Sequence, residues 1–168
     1  SIYLGDKNIS MLPEHLLEEA LSLRPNKKRL ALSIGVTLNK VGEIVNYQIV
    51  KSIIKSNYQL TYDEADELID LSPPEDPSLF LLAELMKSRK NCRIRNGSLN
   101  LAQPEGKIIL CNGKPELKII DYSPARELIS EAMILMGTVV AKFAIKNNIP
   151  IPFRTQEPPN FNSNQKEK

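Results

Sequence analysis

Ser123-Pro124-Ala125-Arg126-Glu127-Leu128-Ile129-Ser130-Glu131-Ala132-Met133-Ile134-Leu135-Met136 is the stretch whose reading decides the fold. Ser123 suits an N-cap, and Pro124 suits a first helical position, where its missing N–H costs nothing. Apolar side chains continue through Val139, Val140 and Phe143 before Asn147-Asn148. The pattern predicts a helix from Pro124 to about Lys146 with little polar surface, hence central and deeply buried.

The elements upstream supply what such a helix packs against. Arg29 to Leu38 alternates as Leu30, Leu32, Ile34, Val36, Leu38, a clean period of two. Asn39-Lys40-Val41-Gly42 reads as a turn, and Glu43 to Ser56 as the returning strand of a long antiparallel hairpin. The returning strand changes the phase of its alternation near Ile49-Val50, which predicts a bulge there. Thr61 and Glu64 spell a capping box, so a helix is expected over Tyr62 to Leu71. Ser72-Pro73-Pro74 ends it, and a longer helix follows from about Asp76 to Arg93, closed by Asn96-Gly97. Ile108 to Cys111 and Leu117 to Asp121 read as short strands around Asn112-Gly113-Lys114. Near the start, Pro13 opens a short helix carrying Leu16, Leu17, Ala20 and Leu21. The fold class is therefore α+β, with a mixed or antiparallel sheet packed on one long helix.

Composition bounds the function classes. The chain has 168 residues, 42% hydrophobic and 25% charged, with 22 basic and 20 acidic residues. At this length a chain can bury roughly 70% of its extended surface and needs no staple. Mean hydropathy is -0.25, and no uninterrupted apolar run approaches the roughly 20 residues of a membrane span, so no membrane is expected as a partner. The net charge of +2 does not announce a nucleic-acid binder. Cys92 and Cys111 fit reduced thiols of a cytosolic protein, with a single bridge between them left open. They match no zinc pattern, and His15 is the single histidine.

Two clusters invite a functional reading. Asp63-Glu64-Ala65-Asp66 spells the letters of a helicase motif, but no glycine-rich phosphate loop accompanies it. Glu64, Glu67 and Asp70 read better as a solvated helix face than as a metal site. Lys87, Arg89, Lys90, Arg93 and Arg95 crowd the end of a helix, where cations complement the dipole; phosphate contact is the other reading, and both stay open. Tyr3, Tyr58 and Tyr62 could stack on bases.

The order of these segments carries more than any one of them. Ser1-Ile2-Tyr3-Leu4, Ile9-Ser10-Met11-Leu12-Pro13-Glu14 and Leu21-Ser22-Leu23 together resemble the S-V-Y-x-P, I-P-M-L-P and L-C-S-L signature of the ribonuclease II/ribonuclease R (RNB) family. The resemblance continues through Arg29-Leu30-Ala31, Gly42-Glu43-Ile44-Val45, Leu60-Thr61-Tyr62 and Gly97-Ser98-Leu99. It reaches the R-x-L-I-E-E-x-M helix at Arg126 to Met133 and extends to about Pro158. The ending Ile151-Pro152-Phe153-Arg154-Thr155-Gln156-Glu157-Pro158 looks most like the cyanobacterial and plastid branch.

The resemblance implies a central segment of an RNB catalytic domain over 1–153, followed by a polar tail, 154–168, expected to be disordered. Family members are 3′-to-5′ exoribonucleases that use Mg2+ to hydrolyse single-stranded RNA to nucleoside 5′-monophosphates. Their metal-binding aspartate cluster lies upstream of the S-V-Y segment and their catalytic arginine downstream of the long helix, so neither is expected here. The absent Met at Ser1 fits that placement. The rest of the same polypeptide is the implied partner, and cytoplasm or plastid stroma the implied location.

By match to the family, Tyr3 packs on a nucleotide near the 3′ end and Tyr62 lies near the terminal ribose, where a hydroxyl can tell RNA from DNA. Glu131 remains of the family's E-E pair, which contacts the terminal nucleotide, and Arg93 and Arg95 of the basic cluster join the RNA-binding set as candidate phosphate contacts. No residue here is a catalytic or metal-ligand candidate. Three departures stand out: Leu101 replaces a base-clamping phenylalanine, Ser130 replaces the first glutamate of E-E, and Gln156 stands where the family has histidine. Alone, the chain is expected not to hydrolyse RNA; a shortened, non-catalytic RNA-binding or regulatory protein is the alternative.

Overall fold

The computed structural model describes residues 2–3, 8–99, 105–111, 114–120 and 122–154. Leu101, Gln156, the side chains of Tyr3 and Cys111, and all of the expected tail beyond Arg154 lie outside them. In chain order the elements are β1 (Ile2–Tyr3), β2 (Asn8–Ile9), a π-helical segment (Leu16–Leu21), β3 (Lys28–Leu38) and β4 (Ile44–Lys55). Then come α1 (Tyr62–Leu71), α2 (Ser78–Arg95), β5 (Glu105–Cys111), β6 (Lys114–Ile120) and α3 (Pro124–Lys146).

The strands form three separate antiparallel pairs among the described residues, β1 with β2, β3 with β4 and β5 with β6. The mixed-sheet form of the expectation gives way to hairpins, with one isolated parallel bridge between Pro25 and Ser56. The core lies where three helices meet the turn end of the β3–β4 hairpin. Ile69 of α1, Met86 of α2 and Ala125, Leu128 and Leu135 of α3 are buried together, with Val36, Leu38 and Ile44 packed against them.

Pairing in the β3–β4 hairpin corrects the expected bulge. Ser33 pairs with Val50 and Ile34 with Ile49 without interruption; the register shift lies between Thr37 and Leu38, which leaves Val45 as the extra residue. The change of phase near Ile49-Val50 has a different cause. Arg29, Ala31 and Ser33 are partly covered on one face, whereas Ile34, Val36 and Leu38 are partly covered on the other. The helices cover the turn end on one side, while Arg29 Nε donates to Ser22 O at 3.0 Å at the far end. Leu30 and its partner Ile53 consequently stand 85% and 67% exposed. Between the hairpin and the helices lies a groove of about 590 Å³ lined by Leu32, Ile34, Val36, Leu85 and Met136, among others.

The hairpin turn is pinned to α2 by its backbone. Gly42 has φ +83°, and a Cβ there would lie 2.4 Å from Ser88 O. Only glycine satisfies both the left-handed backbone and that approach. Ser88 Oγ donates to Lys40 O at 3.4 Å, Arg89 Nη1 to Gly42 O at 3.1 Å and Arg95 Nη2 to Val41 O at 2.6 Å.

α3 begins and ends where its sequence predicts, with Ser123 Oγ accepting from Arg126 N. Its burial is narrower than expected. Ala125, Leu128, Glu131, Leu135 and Val139 form one buried stripe, Ala144 is buried on another side near the C-terminal end, and Ile129, Met133 and Ile145 are exposed. In the N-terminal half the opposite face stays open, because α1 and α2 both pack against this stripe. By length and composition α3 is also apolar enough to cross a membrane, with mean hydropathy 1.8 over its most apolar window, contrary to the composition-based expectation. In this fold its stripe is spent on α1, α2 and the hairpin, and it buries an ion-paired glutamate.

α1 carries the predicted capping box. Thr61 Oγ1 accepts from Glu64 N, and Thr61 N donates to Glu64 Oε2 at 2.7 Å. That backbone hydrogen bond, followed by the Thr61 hydroxyl, holds the Glu64 carboxyl below its ordinary value.

Gly42→Ala should destabilise the chain by more than about 2 kcal/mol in urea unfolding, since backbone strain and a collision with α2 add. Gly97→Ala, with φ +90° but open space around it, should cost only the strain, about 1 kcal/mol. A depressed folded-state carboxyl stabilises above its unfolded value and loses that contribution as pH falls through the folded one. Thr61→Ala should therefore flatten the acid limb of the stability-against-pH curve of this chain.

Candidate nucleic-acid interface

α2 and α3 face each other through charges the sequence placed on separate segments. Lys90 Nζ meets Glu127 Oε2 at 2.7 Å, and one turn further Arg93 grips Glu131. Arg93 Nε donates to Glu131 Oε1 at 2.8 Å, Nη2 to Oε2 at 2.7 Å, and Nη1 to Ser98 Oγ at 2.7 Å. Arg93 lies in the last turn of α2 and Glu127 in the first turn of α3, so each pair places one charge where it complements a helix dipole. Glu131 is 3% exposed. Its hydrogen bond to Arg93 raises the guanidinium above its ordinary value.

A second junction lies at the N-termini of α1 and α3. Asp66 Oδ1 accepts from Ala125 N at 2.7 Å and satisfies an orphan donor in the first turn of α3. This bond brings Tyr62, first residue of α1, beside Arg126, third residue of α3. The Arg126 guanidinium carbon lies 4.1 Å from the Tyr62 ring centroid, a cation–π contact. Tyr62 keeps 39% of its surface exposed.

The sequence-predicted set is thus distributed over three places. Arg93 and Glu131 are together and hold each other. Tyr62 stands at the α1–α3 junction. Arg95 is exposed, with its guanidinium on the hairpin turn. The backbone of Tyr3 pairs with Asn8. Of the basic cluster, Arg89 is buried, with Nε unpartnered and Nη1 on Gly42 O, so it serves the turn rather than a surface. The helix dipole and specific acid partners account for Lys90 and Arg93. Cys92 is a buried free thiol.

Sequence reasoning passed over Arg126. The available signal was its position: a cation in the first turn of a helix opposes the dipole there, so another interaction must compensate.

The acidic residues of α1 do not fit a metal. Among the described residues no group of three or more His, Cys, Asp or Glu side chains is assembled to hold one. Glu64 and Asp66 are already committed to the capping box and to Ala125 N. No catalytic step through Mg2+ can be built on these residues.

Comparison with known proteins then identifies the architecture. The RNB domain matches residues 1–167. The chain belongs to the RNB-domain family. It is 38% identical over 167 residues to an uncharacterised ribonuclease of Synechocystis sp., covering 98% of this chain and 25% of that protein. It is 36% identical over 167 residues to the chloroplastic/mitochondrial ribonuclease II of Arabidopsis thaliana, covering 96% of this chain and 21% of that protein. Mycoplasma genitalium RNase R in complex with ribose-methylated single-stranded RNA shares the fold with a TM-score of 0.80 at 22% identity, over 88% of this chain and 24% of that one. The chain spans about a quarter of the length of these proteins.

Arg93→Met should destabilise the chain by about 3 kcal/mol in urea unfolding, because it leaves the buried Glu131 carboxylate without its counter-charge. The Arg93→Met/Glu131→Leu double variant should lose less than Arg93→Met alone, since no buried charge is then left unpaired.

Proposed function

We propose that this chain is a segment of a 3′-to-5′ exoribonuclease that hydrolyses single-stranded RNA to nucleoside 5′-monophosphates, and that it contributes part of the RNA channel and the 3′-end pocket. The observation that carries the reading is the RNB-domain match along residues 1–167, supported by an exposed Tyr62 where the family resemblance puts a ribose contact. Tyr3 and Tyr62 offer aromatic faces and hydroxyls to the terminal nucleotides. Arg95 offers a charge to phosphate. Arg93 and Glu131 enter as a pair that holds α2 to α3 behind the pocket.

Magnesium belongs to the longer enzyme, held by residues outside this chain. The partner is the remainder of the same polypeptide, which would cover the exposed apolar face around Leu30, Leu32 and Ile53. Cytoplasm, or plastid stroma by likeness to the plant relative, is the proposed location.

The purified chain should bind a single-stranded RNA oligonucleotide in fluorescence anisotropy, with affinity falling as salt rises. Tyr62→Ala should weaken binding by about tenfold, within the range for loss of one stacking contact. Magnesium-dependent release of mononucleotides by the chain alone would refute the proposal that hydrolysis requires further residues. Equal affinity for RNA and DNA would remove the role given to Tyr62.

A further inference from the structure

We propose that Arg126 is a positioning residue for Tyr62: its guanidinium stacks on the phenol ring and fixes the ring plane that RNA meets. The inference rests on the pocket reading above and assigns a task that neither the resemblance nor the comparisons give to this arginine.

Three observations converge on it. Arg126 sits in the first turn of α3, where the aligned peptide dipoles oppose a cation. A cation there is disfavoured unless a specific partner compensates. Among the described residues its guanidinium makes no salt bridge, and its contact is the Tyr62 ring at 4.1 Å. Lastly, the two backbones that carry the pair are fixed independently of it. The Thr61–Glu64 capping box sets the start of α1, and Asp66 Oδ1 on Ala125 N ties α1 to α3.

The consequence concerns specificity. The backbone of Tyr62 is anchored, but a tyrosine ring with 39% of its surface exposed can still turn about its side-chain bonds. A hydroxyl that discriminates a ribose 2′-OH has to stand in one place before the nucleotide arrives, or the ordering cost is taken from the binding energy. Stacking by Arg126 holds the ring on one face and leaves its remaining surface and hydroxyl to the ligand. The α1–α3 junction thereby makes a loose aromatic side chain into a pre-set one.

The test uses the whole chain with Arg126→Gln, Arg126→Lys, Tyr62→Leu and the Arg126→Gln/Tyr62→Leu double variant. In the free protein the Arg126 δ-methylene protons should show an upfield ring-current shift by NMR, and Tyr62→Leu should abolish it. Against matched RNA and DNA oligonucleotides, Arg126→Gln should weaken RNA binding by about two- to fivefold, the worth of one exposed cation–π contact. It should lower the RNA-to-DNA affinity ratio and leave the salt slope unchanged. In the Tyr62→Leu background the same change should have no further effect, and Arg126→Lys should restore most of the ratio.

An absent ring-current shift overturns the proposal. So does a loss that is equal for RNA and DNA, that flattens the salt slope by about one, or that persists in the Tyr62→Leu background, since each marks a direct phosphate contact. An intact ring-current shift with no RNA binding by the wild-type chain, or with binding indifferent to Tyr62→Leu, means that the pocket reading itself has failed, and this inference falls with it.

Discussion

The carboxylate of Glu131 is the group around which the helices are arranged. At 3% exposed it cannot be left uncompensated, and the two-point grip of Arg93 fixes the distance and rotation of α3 against α2. Breaking such a pair costs more than forming it gains, because one charge would stay behind in a low-dielectric setting. The pair therefore acts as a constraint on geometry more than as a source of stability. Lys90–Glu127 repeats the pairing one turn away.

The second constraint is the passage of Gly42 against α2. With no Cβ, the hairpin turn brings its carbonyls within reach of Ser88, Arg89 and Arg95. Three donors from one helix face thus end on one turn, and the basic cluster loses much of its apparent availability to RNA. The same docking explains the uneven burial of the hairpin. Its turn end is held in the core, while Leu30, Leu32 and Ile53 project from the far end of the same apolar face into solvent. That face and the groove beside it fit a protein whose relatives are about four times longer.

The functional consequence is a separation of tasks. Charged pairs hold helices, backbone carbonyls hold the turn, and Tyr62, still partly accessible, stands where two helix N-termini converge. Tyr62 and Arg126 are 64 positions apart in sequence, yet Asp66 and Ala125 bring them into stacking distance. The chemistry proposed for the pocket depends on this junction more than on the basic run at the end of α2.

Features governed by local physical chemistry were legible in the chain. The capping box at Thr61–Glu64, the Ser123-Pro124 start of α3 and the hairpin turn with Gly42 all depend on residues a few positions apart. Each was readable because N-caps, left-handed glycines and period-two alternation act over one turn or one strand pair. Phase and composition were read less well, since one pattern has several tertiary causes. The break at Ile49-Val50 could be a bulge or a change of covered face, and only the packing of the helices decides for the latter. The apolar length of α3 could not say how many of its sides would be covered: one stripe along its N-terminal half and several sides near its C-terminal end. The pairing of Arg93 with Glu131, the burial of Arg89 and the stacking of Arg126 on Tyr62 belong wholly to the tertiary structure. A charge or a ring acquires its role from the partner that folding places within about 4 Å of it, and sequence separation carries no information about that distance.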